Sequence, residues 1–215
     1  PSRPLAALLF DMDGTIISSI ASAERIWSRW AEAHGLDAAS FLPTIHGVQS
    51  VETIRRLNLP GVDPVAEAAA ITEAEMADVD DIVAIPGARA FLEALPRHRW
   101  AIVTSAPRRL AERRLAAAGM PVPDLLVAAE DVARGKPAPD CFLLAAGRLG
   151  VAAADCLVFE DAPAGIRAAE AADAAVVVVT ATHHEPVRTN HPTIADYTGL
   201  RVAAAAEGIR VTRTA

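Results

Sequence analysis

The stretch Phe10-Asp11-Met12-Asp13-Gly14-Thr15-Ile16 ends an apolar run that starts at Leu5 with two carboxylates one residue apart, then a glycine and a hydroxyl. A run of this length and aliphatic content is the pattern of a strand covered on both faces. In α/β proteins such a strand carries its functional groups just past its carboxyl end. Asp11 and Asp13 are therefore expected at the rim of a crevice. Carboxylates this close repel each other unless a cation or a shared proton intervenes, which points to a hard metal such as Mg²⁺ or to acid and base work. A turn rich in Asp and Gly, with no ligand, is the plainer alternative.

More polar clusters follow in order. Trp100-Ala101-Ile102-Val103-Thr104-Ser105 is an apolar run ending in hydroxyls, Arg134-Gly135-Lys136-Pro137 places a lysine in a loop, and Leu157-Val158-Phe159-Glu160-Asp161 is an apolar run ending in carboxylates. An Asp-x-Asp, a Thr or Ser, a Lys and an acidic pair, in that order, resemble the haloacid dehalogenase superfamily of phosphohydrolases. The joint match counts for far more than any one short motif. The wording between the clusters narrows the resemblance: Asp13-Gly14-Thr15-Ile16-Ile17 with a downstream Trp27, then His46-Gly47, Pro86-Gly87-Ala88 and Glu160-Asp161-Ala162-Pro163-Ala164-Gly165-Ile166. These look like the glycerol-3-phosphate and 2-deoxyglucose-6-phosphate phosphatases, most strongly in the core and weakly where such enzymes select substrates.

At 215 residues the chain is long enough to bury roughly 70% of its unfolded surface in one core domain with a modest insertion. No uncharged apolar run approaches the roughly 20 residues of a membrane span. Pro1 is followed directly by a polar pair and the first strand, without the basic and apolar regions of a signal peptide, so a cytoplasmic location is expected. The net charge of −7 argues against a nucleic-acid partner. Cys141 and Cys156 lack the number and spacing of a disulfide framework or zinc site and read as buried thiols. A monomer or weak dimer acting on a small phosphorylated metabolite is expected.

The second half alternates strand patterns at Trp100 to Val103, Leu125 to Ala128, Leu157 to Phe159 and Ala175 to Val179 with helix patterns near Arg108 to Ala118, Pro139 to Leu149 and Ala162 to Ala172. That is the rhythm of a Rossmann-like α/β core, a parallel sheet with helices on both faces. Before it, Ala21 to His34, Val48 to Leu57 and Pro64 to Met76 all read as helical, a small α-helical insertion. By resemblance this is a cap domain, residues 17–85, set into a core made of residues 1–16 and 86–215. The tail is less regular: His183-His184-Glu185 reads as an exposed loop rather than a metal site, and Leu200 to Ala204 with Ile209 to Thr212 reads as a closing hairpin. Trp27 and Trp30, three apart on a helix, are expected in the core of the insertion.

The resemblance implies roles. Asp11 would be the nucleophile, forming an aspartyl phosphate, and Asp13 the general acid and base, with its backbone carbonyl also on the metal. Thr104, Ser105 and the Ala106 backbone would hold phosphate oxygens, unless the dipeptide merely caps the next helix; which hydroxyl matches the family's single Thr or Ser stays open. Lys136 would bridge nucleophile and phosphoryl group. Mg²⁺ would be held by Asp11, Asp13, Glu160 and Asp161, with Glu160 bound directly or through water. His46 is expected either on the leaving group or on its own loop backbone. A phosphomutase of the β-phosphoglucomutase type is the nearest alternative, weakened because Gly47-Val48-Gln49-Ser50 lacks the arginine such mutases carry. A dehalogenase does not need Asp13 as an acid, and a silent binding module would tend to lose one of the clusters, all of which are kept.

Overall fold

The computed structural model describes residues 4–183, 185–205 and 207–213. At its centre lies β1 (Ala7–Phe10), every residue of which is buried. Successive side chains of a strand point to opposite faces, so Leu8 and Phe10 enter one apolar cluster while Ala7 and Leu9 enter another across the sheet. The short strands β2 (Ile17–Ser18) and β3 (Val83–Ala84) pair antiparallel as a ribbon outside that sheet. The chain then adds β4 (Trp100–Val103), β5 (Leu126–Val127), β6 (Cys156–Glu160), β7 (Ala175–Val179) and β8 (Thr193–Ile194). The resulting six-stranded sheet is parallel throughout, in the order β5-β4-β1-β6-β7-β8. Register matters here. Phe10 pairs with Ile102 on one side and Phe159 on the other, so Asp11, Thr104, Glu160 and Asp161 emerge along the same edge. The Phe10 ring stacks on Phe159 with centroids 4.8 Å apart and meets Trp100 edge-on, which fixes the strands at that level.

Between β2 and β3 lie α1 (Ile20–Ala33), α2 (Ala38–Phe41), α3 (Ser50–Leu57) and α4 (Pro64–Ala77). Asp63 caps α4 by accepting from the N–H groups of Val65 and Ala66, with Pro64 in the first turn. These helices enclose their own apolar cluster, built on Ile26, Trp27, Trp30, Phe41, Ile45, Ile54 and Ile71. Both tryptophans belong to it, meeting edge to face at 5.6 Å, and the Trp30 indole N–H donates to Glu67.

On the core, α5 (Ala88–Glu93) and α6 (Arg108–Ala117) cover the Phe10 face, while α7 (Asp140–Arg148) and α8 (Pro163–Ala171) cover the Leu9 face. A hairpin of β9 (Leu200–Ala205) and β10 (Gly208–Arg213) closes the chain as its turn residues predict. Cys141 and Cys156 are buried free thiols, both pushed up to about 11 by burial. Among the described residues no helix is long and apolar enough to cross a membrane.

Differences from the sequence expectation are local. Leu5 leaves the first strand and bridges antiparallel to Ile209 of the hairpin, so the parallel ladder begins at Ala7. Helix α3 starts at Ser50 rather than Val48 because Gln49 is extended. The ribbon of β2 and β3, the helix α5 and the edge strand β8 carried no pattern long enough to read.

Candidate active site

Lys136 organises the floor of the site. Its side chain comes from the loop ahead of α7, and the residue is only 2% exposed. Nζ donates to Asp11 Oδ1 at 2.5 Å, Glu160 Oε1 at 2.7 Å and the Val103 carbonyl at 3.1 Å. An ammonium has three N–H groups, and all are used. Glu160 is tied down from its other oxygen, since Oε2 accepts from the backbone N–H groups of Asp161 and Ala162 at 2.8 and 2.9 Å. Ala162 is the N-cap residue of α8, and the Glu160 carboxylate takes the N–H groups of the loop ahead of the helix. Asp161 instead turns to Thr15, whose hydroxyl donates to Oδ1 at 3.0 Å.

Two glycines make this packing possible. Gly14 has φ of +84°, and a Cβ there would lie 2.1 Å from Asp161 Oδ2; a Cβ on Gly165 would lie 1.5 Å from Glu160 Oε1. Only residues without a side chain fit against these carboxylates.

The electrostatics follow from burial. Asp11 is pushed up to about 8 by burial, with Lys136 opposing and the neighbouring Glu160 charge assisting. Asp161 is raised well above the usual carboxylate range by burial and by Glu160 and Asp11. Burial works against the Lys136 ammonium, but Asp11 and Glu160 together outweigh it and hold it above its ordinary value. Asp11, Glu160 and Asp161 can each turn a ligand oxygen to within 4.8 Å of the others. Three buried carboxylates balanced by one ammonium, all with hard oxygen donors, fit a divalent cation of the Mg²⁺ kind.

Asp13 stands apart from that cluster, on the wall of the cleft above it. Its Oδ1 accepts from Ser19 Oγ at 2.5 Å and from Arg114 Nη1 at 3.0 Å. Thr104, Ser105, Ala106 and His46 line the same cleft. The two hydroxyls differ: Thr104 Oγ1 accepts from the Ala106 N–H at 3.0 Å, whereas Ser105 Oγ donates to the Gly47 carbonyl at 2.9 Å. Neither caps α6, which starts behind Pro107. His46 Nε2 lies 3.5 Å from Glu24 Oε1, and burial pulls its pKa below the ordinary value. The loop that carries it is docked on the core: a Cβ on Gly47 would meet that of Ala162 at 2.7 Å, and Gln49 donates to the Ala129 carbonyl. His183 reaches the Asp161 carbonyl at 3.0 Å rather than a metal cluster; His184 lies outside the described residues.

The structure also brings in two residues that sequence reasoning passed over, Glu75 and Arg114. Arg114 had a signal. Leu110, Ala111, Arg114 and Leu115 form the buried stripe of α6, so the arginine occupies a position where helical spacing calls for an apolar side chain.

A family model described as haloacid dehalogenase-like hydrolase matches residues 5–173. The chain belongs to that family. This hydrolase is 42% identical over 182 residues to hexitol phosphatase A of Escherichia coli (strain K12), covering 83% of this chain and 84% of that one. It is 33% identical over 211 residues to 2-deoxyglucose-6-phosphate phosphatase 2 of Saccharomyces cerevisiae (strain ATCC 204508 / S288c), covering 87% and 85%. Among solved structures, a hydrolase from Pseudomonas syringae superposes with a TM-score of 0.74 at 27% identity, covering 84% of this chain and 87% of that one. The haloacid dehalogenase-like hydrolase described here is an enzyme of the phosphoric monoester hydrolase class.

Proposed function

We propose that this hydrolase removes the phosphoryl group from a small sugar or polyol phosphate through an aspartyl phosphate on Asp11, with residues 17–85 acting as a cap over a core of residues 1–16 and 86–215. The observation that carries the reading is the pairing of Asp11 with Lys136 on the floor of a cleft whose wall presents Asp13. Names of the relatives support the substrate class, since they are phosphatases of hexitol and 2-deoxyglucose-6-phosphate.

Lys136 holds Asp11 Oδ1, which leaves Oδ2 for attack on phosphorus. Asp11, Asp161, the Asp13 carbonyl and Glu160, directly or through water, would hold Mg²⁺, which when bound neutralises charge on nucleophile and phosphoryl group and orients them. Because Glu160 already spends both oxygens on Lys136 and backbone N–H groups, we assign it the water-mediated share. Asp13 gives a proton to the departing alkoxide and then takes one from the water that opens the aspartyl phosphate. Between the two hydroxyls we assign phosphate binding to Thr104, whose proton is not spent on the Ala106 N–H it accepts, while Ser105 holds the Gly47 loop. His46 is assigned to the leaving-group side of the cleft. A mutase would need a second phosphate site in the cap, and Gln49, in the stretch where those enzymes place an arginine, gives its amide to Ala129.

The test is turnover of a panel of sugar, polyol and hydroxyacid phosphates with and without Mg²⁺, alongside Asp11→Asn. Wild type should release phosphate from sugar or polyol phosphates only with the metal, and the variant should fall to background while remaining folded. Wild-type kcat in Asp11→Asn would remove the nucleophile assignment.

A further inference from the structure

The scheme above leaves one buried cation of the cleft unexplained. Arg114 is 4% exposed, on the inner face of α6, and lines the cleft with Asp11 and Asp13. Its Nη1 is spent on Asp13, but Nε and Nη2 have no hydrogen-bond partner among the described residues. Glu75, also 4% exposed, comes from α4 in the inserted helices and lines the cleft as well. Its Oε1 lies 3.3 Å from Arg114 Nη2, close enough for an ion pair but without hydrogen-bond geometry. Burial raises the Glu75 carboxyl, against the pull of Arg114 and of the Trp27 indole beside it. Buried guanidinium N–H groups without a well-directed acceptor are costly, and native sites rarely keep them unless something else completes the geometry.

The chemistry of the pair says what would fill it. A guanidinium offers only donors and a carboxylate only acceptors, so together they match a hydroxyl or a vicinal diol, which both accepts and donates. Flanked by Asp13 and Glu75, Arg114 is already balanced by two carboxylates, which disfavours a leaving group with its own carboxylate or second phosphate. A neutral polyhydroxylated chain suffers no such repulsion. We infer that Arg114 and Glu75 form the subsite that reads the hydroxyls of a neutral polyol leaving group, Arg114 donating and Glu75 accepting. One partner belongs to the core and the other to the insertion, so the subsite is complete only when both stand as they do here. The inference deepens the phosphatase reading and rests on it.

The experiment compares kcat/KM for a hexitol phosphate with that for an unbranched alkyl phosphate bearing no hydroxyls, in wild type, Glu75→Gln and Arg114→Lys, all with Mg²⁺. Both leaving groups are alkoxides that need the same protonation, so an effect passed through Asp13 lowers both values together. The subsite predicts that the hexitol-to-alkyl ratio falls by about tenfold or more in each variant, mostly through KM. Glu75→Gln keeps side-chain volume and does not touch Asp13, so it carries the test even if Arg114→Lys fails to fold. In the Asp11→Asn background the same substitution should weaken titrated binding of hexitol phosphate more than that of inorganic phosphate. An unchanged ratio in an active enzyme, or a wild-type preference for bisphosphates or carboxylated monoesters, overturns the subsite alone. Failure of wild type to hydrolyse any monoester overturns the phosphatase reading and the subsite with it.

Discussion

Lys136 and Arg114 are two buried cations of one site, yet Lys136 spends every N–H on Asp11, Glu160 and the Val103 carbonyl while Arg114 leaves Nε and Nη2 without hydrogen-bond partners among the described residues. The lysine end is finished by the protein itself, each of its N–H groups meeting a protein oxygen. At the arginine end hydrogen bonding is left for a ligand to complete. Rigidity is thus concentrated where every phosphate monoester looks alike, and unmet polarity where substrates differ.

The sharpest way to break that contrast is Lys136→Met. It strands Asp11 and Glu160 without their counter-charge, and breaking a buried pair in this way costs roughly 3–5 kcal/mol. A melting temperature well below wild type is expected, together with loss of turnover to near background. A variant as stable as wild type would mean that the floor is not held by its lysine.

Asp13→Asn comes next. Divalent-cation binding should persist, because the proposed ligand there is a backbone carbonyl, while kcat on an alkyl phosphate should fall roughly 10²- to 10⁴-fold. The loss should be smaller on p-nitrophenyl phosphate, whose leaving group needs no proton. Equal losses on the two substrates would count against Asp13 as the acid.

The last prediction concerns pH. Burial lifts the Asp11 carboxyl from 3.8 to about 8, so the folded chain retains a proton that the unfolded chain releases. Stability from this source is fully present below 3.8 and is lost as pH rises through about 8, and the raised Asp161 acts in the same sense. The melting temperature of metal-free wild type, measured against that of Asp11→Asn, should therefore decline as pH rises across that window. Mg²⁺ should restore most of the difference at the upper end. A difference that does not change with pH would refute the electrostatic account of the floor.

How much of this the sequence discloses depends on the range of the interaction. Strands β4 and β6 are buried and apolar up to Glu160, and the polar residues at their ends stand out because the apolar pattern stops abruptly. Asp11, Thr104, Glu160 and Asp161 could be picked out for that reason, and the parallel register brings them to one edge, whereas Lys136, in a loop, was legible only through the family resemblance. The ribbon of β2 and β3 and the edge strand β8 have two residues each, too few for any periodicity to show. Arg114 falls on the apolar stripe of α6 with Leu110, Ala111 and Leu115, which marks it as buried, but the partner that receives it, Asp13, lies 101 residues away and cannot be read from the helix. Its partner Glu75 sits in an alanine-rich helix whose amphipathic pattern is too weak to say which side faces inward. The role of Glu160 in ordering the loop ahead of α8 was likewise unreadable, because it depends on backbone N–H groups that every residue has.

The ribbon of β2 and β3 has a consequence for how such a molecule diversifies. Ile17 pairs with Ala84 and Ser18 with Val83, so the inserted helices leave and rejoin the chain at adjacent points, and the ends of that excursion are held together by two residues on each side. A graft of another helical segment across this junction would leave the order of the parallel strands and the Lys136 floor as they are. Arg114 is a core residue that would have to be exchanged along with the graft, because its ion-pair partner Glu75 would leave with the inserted helices.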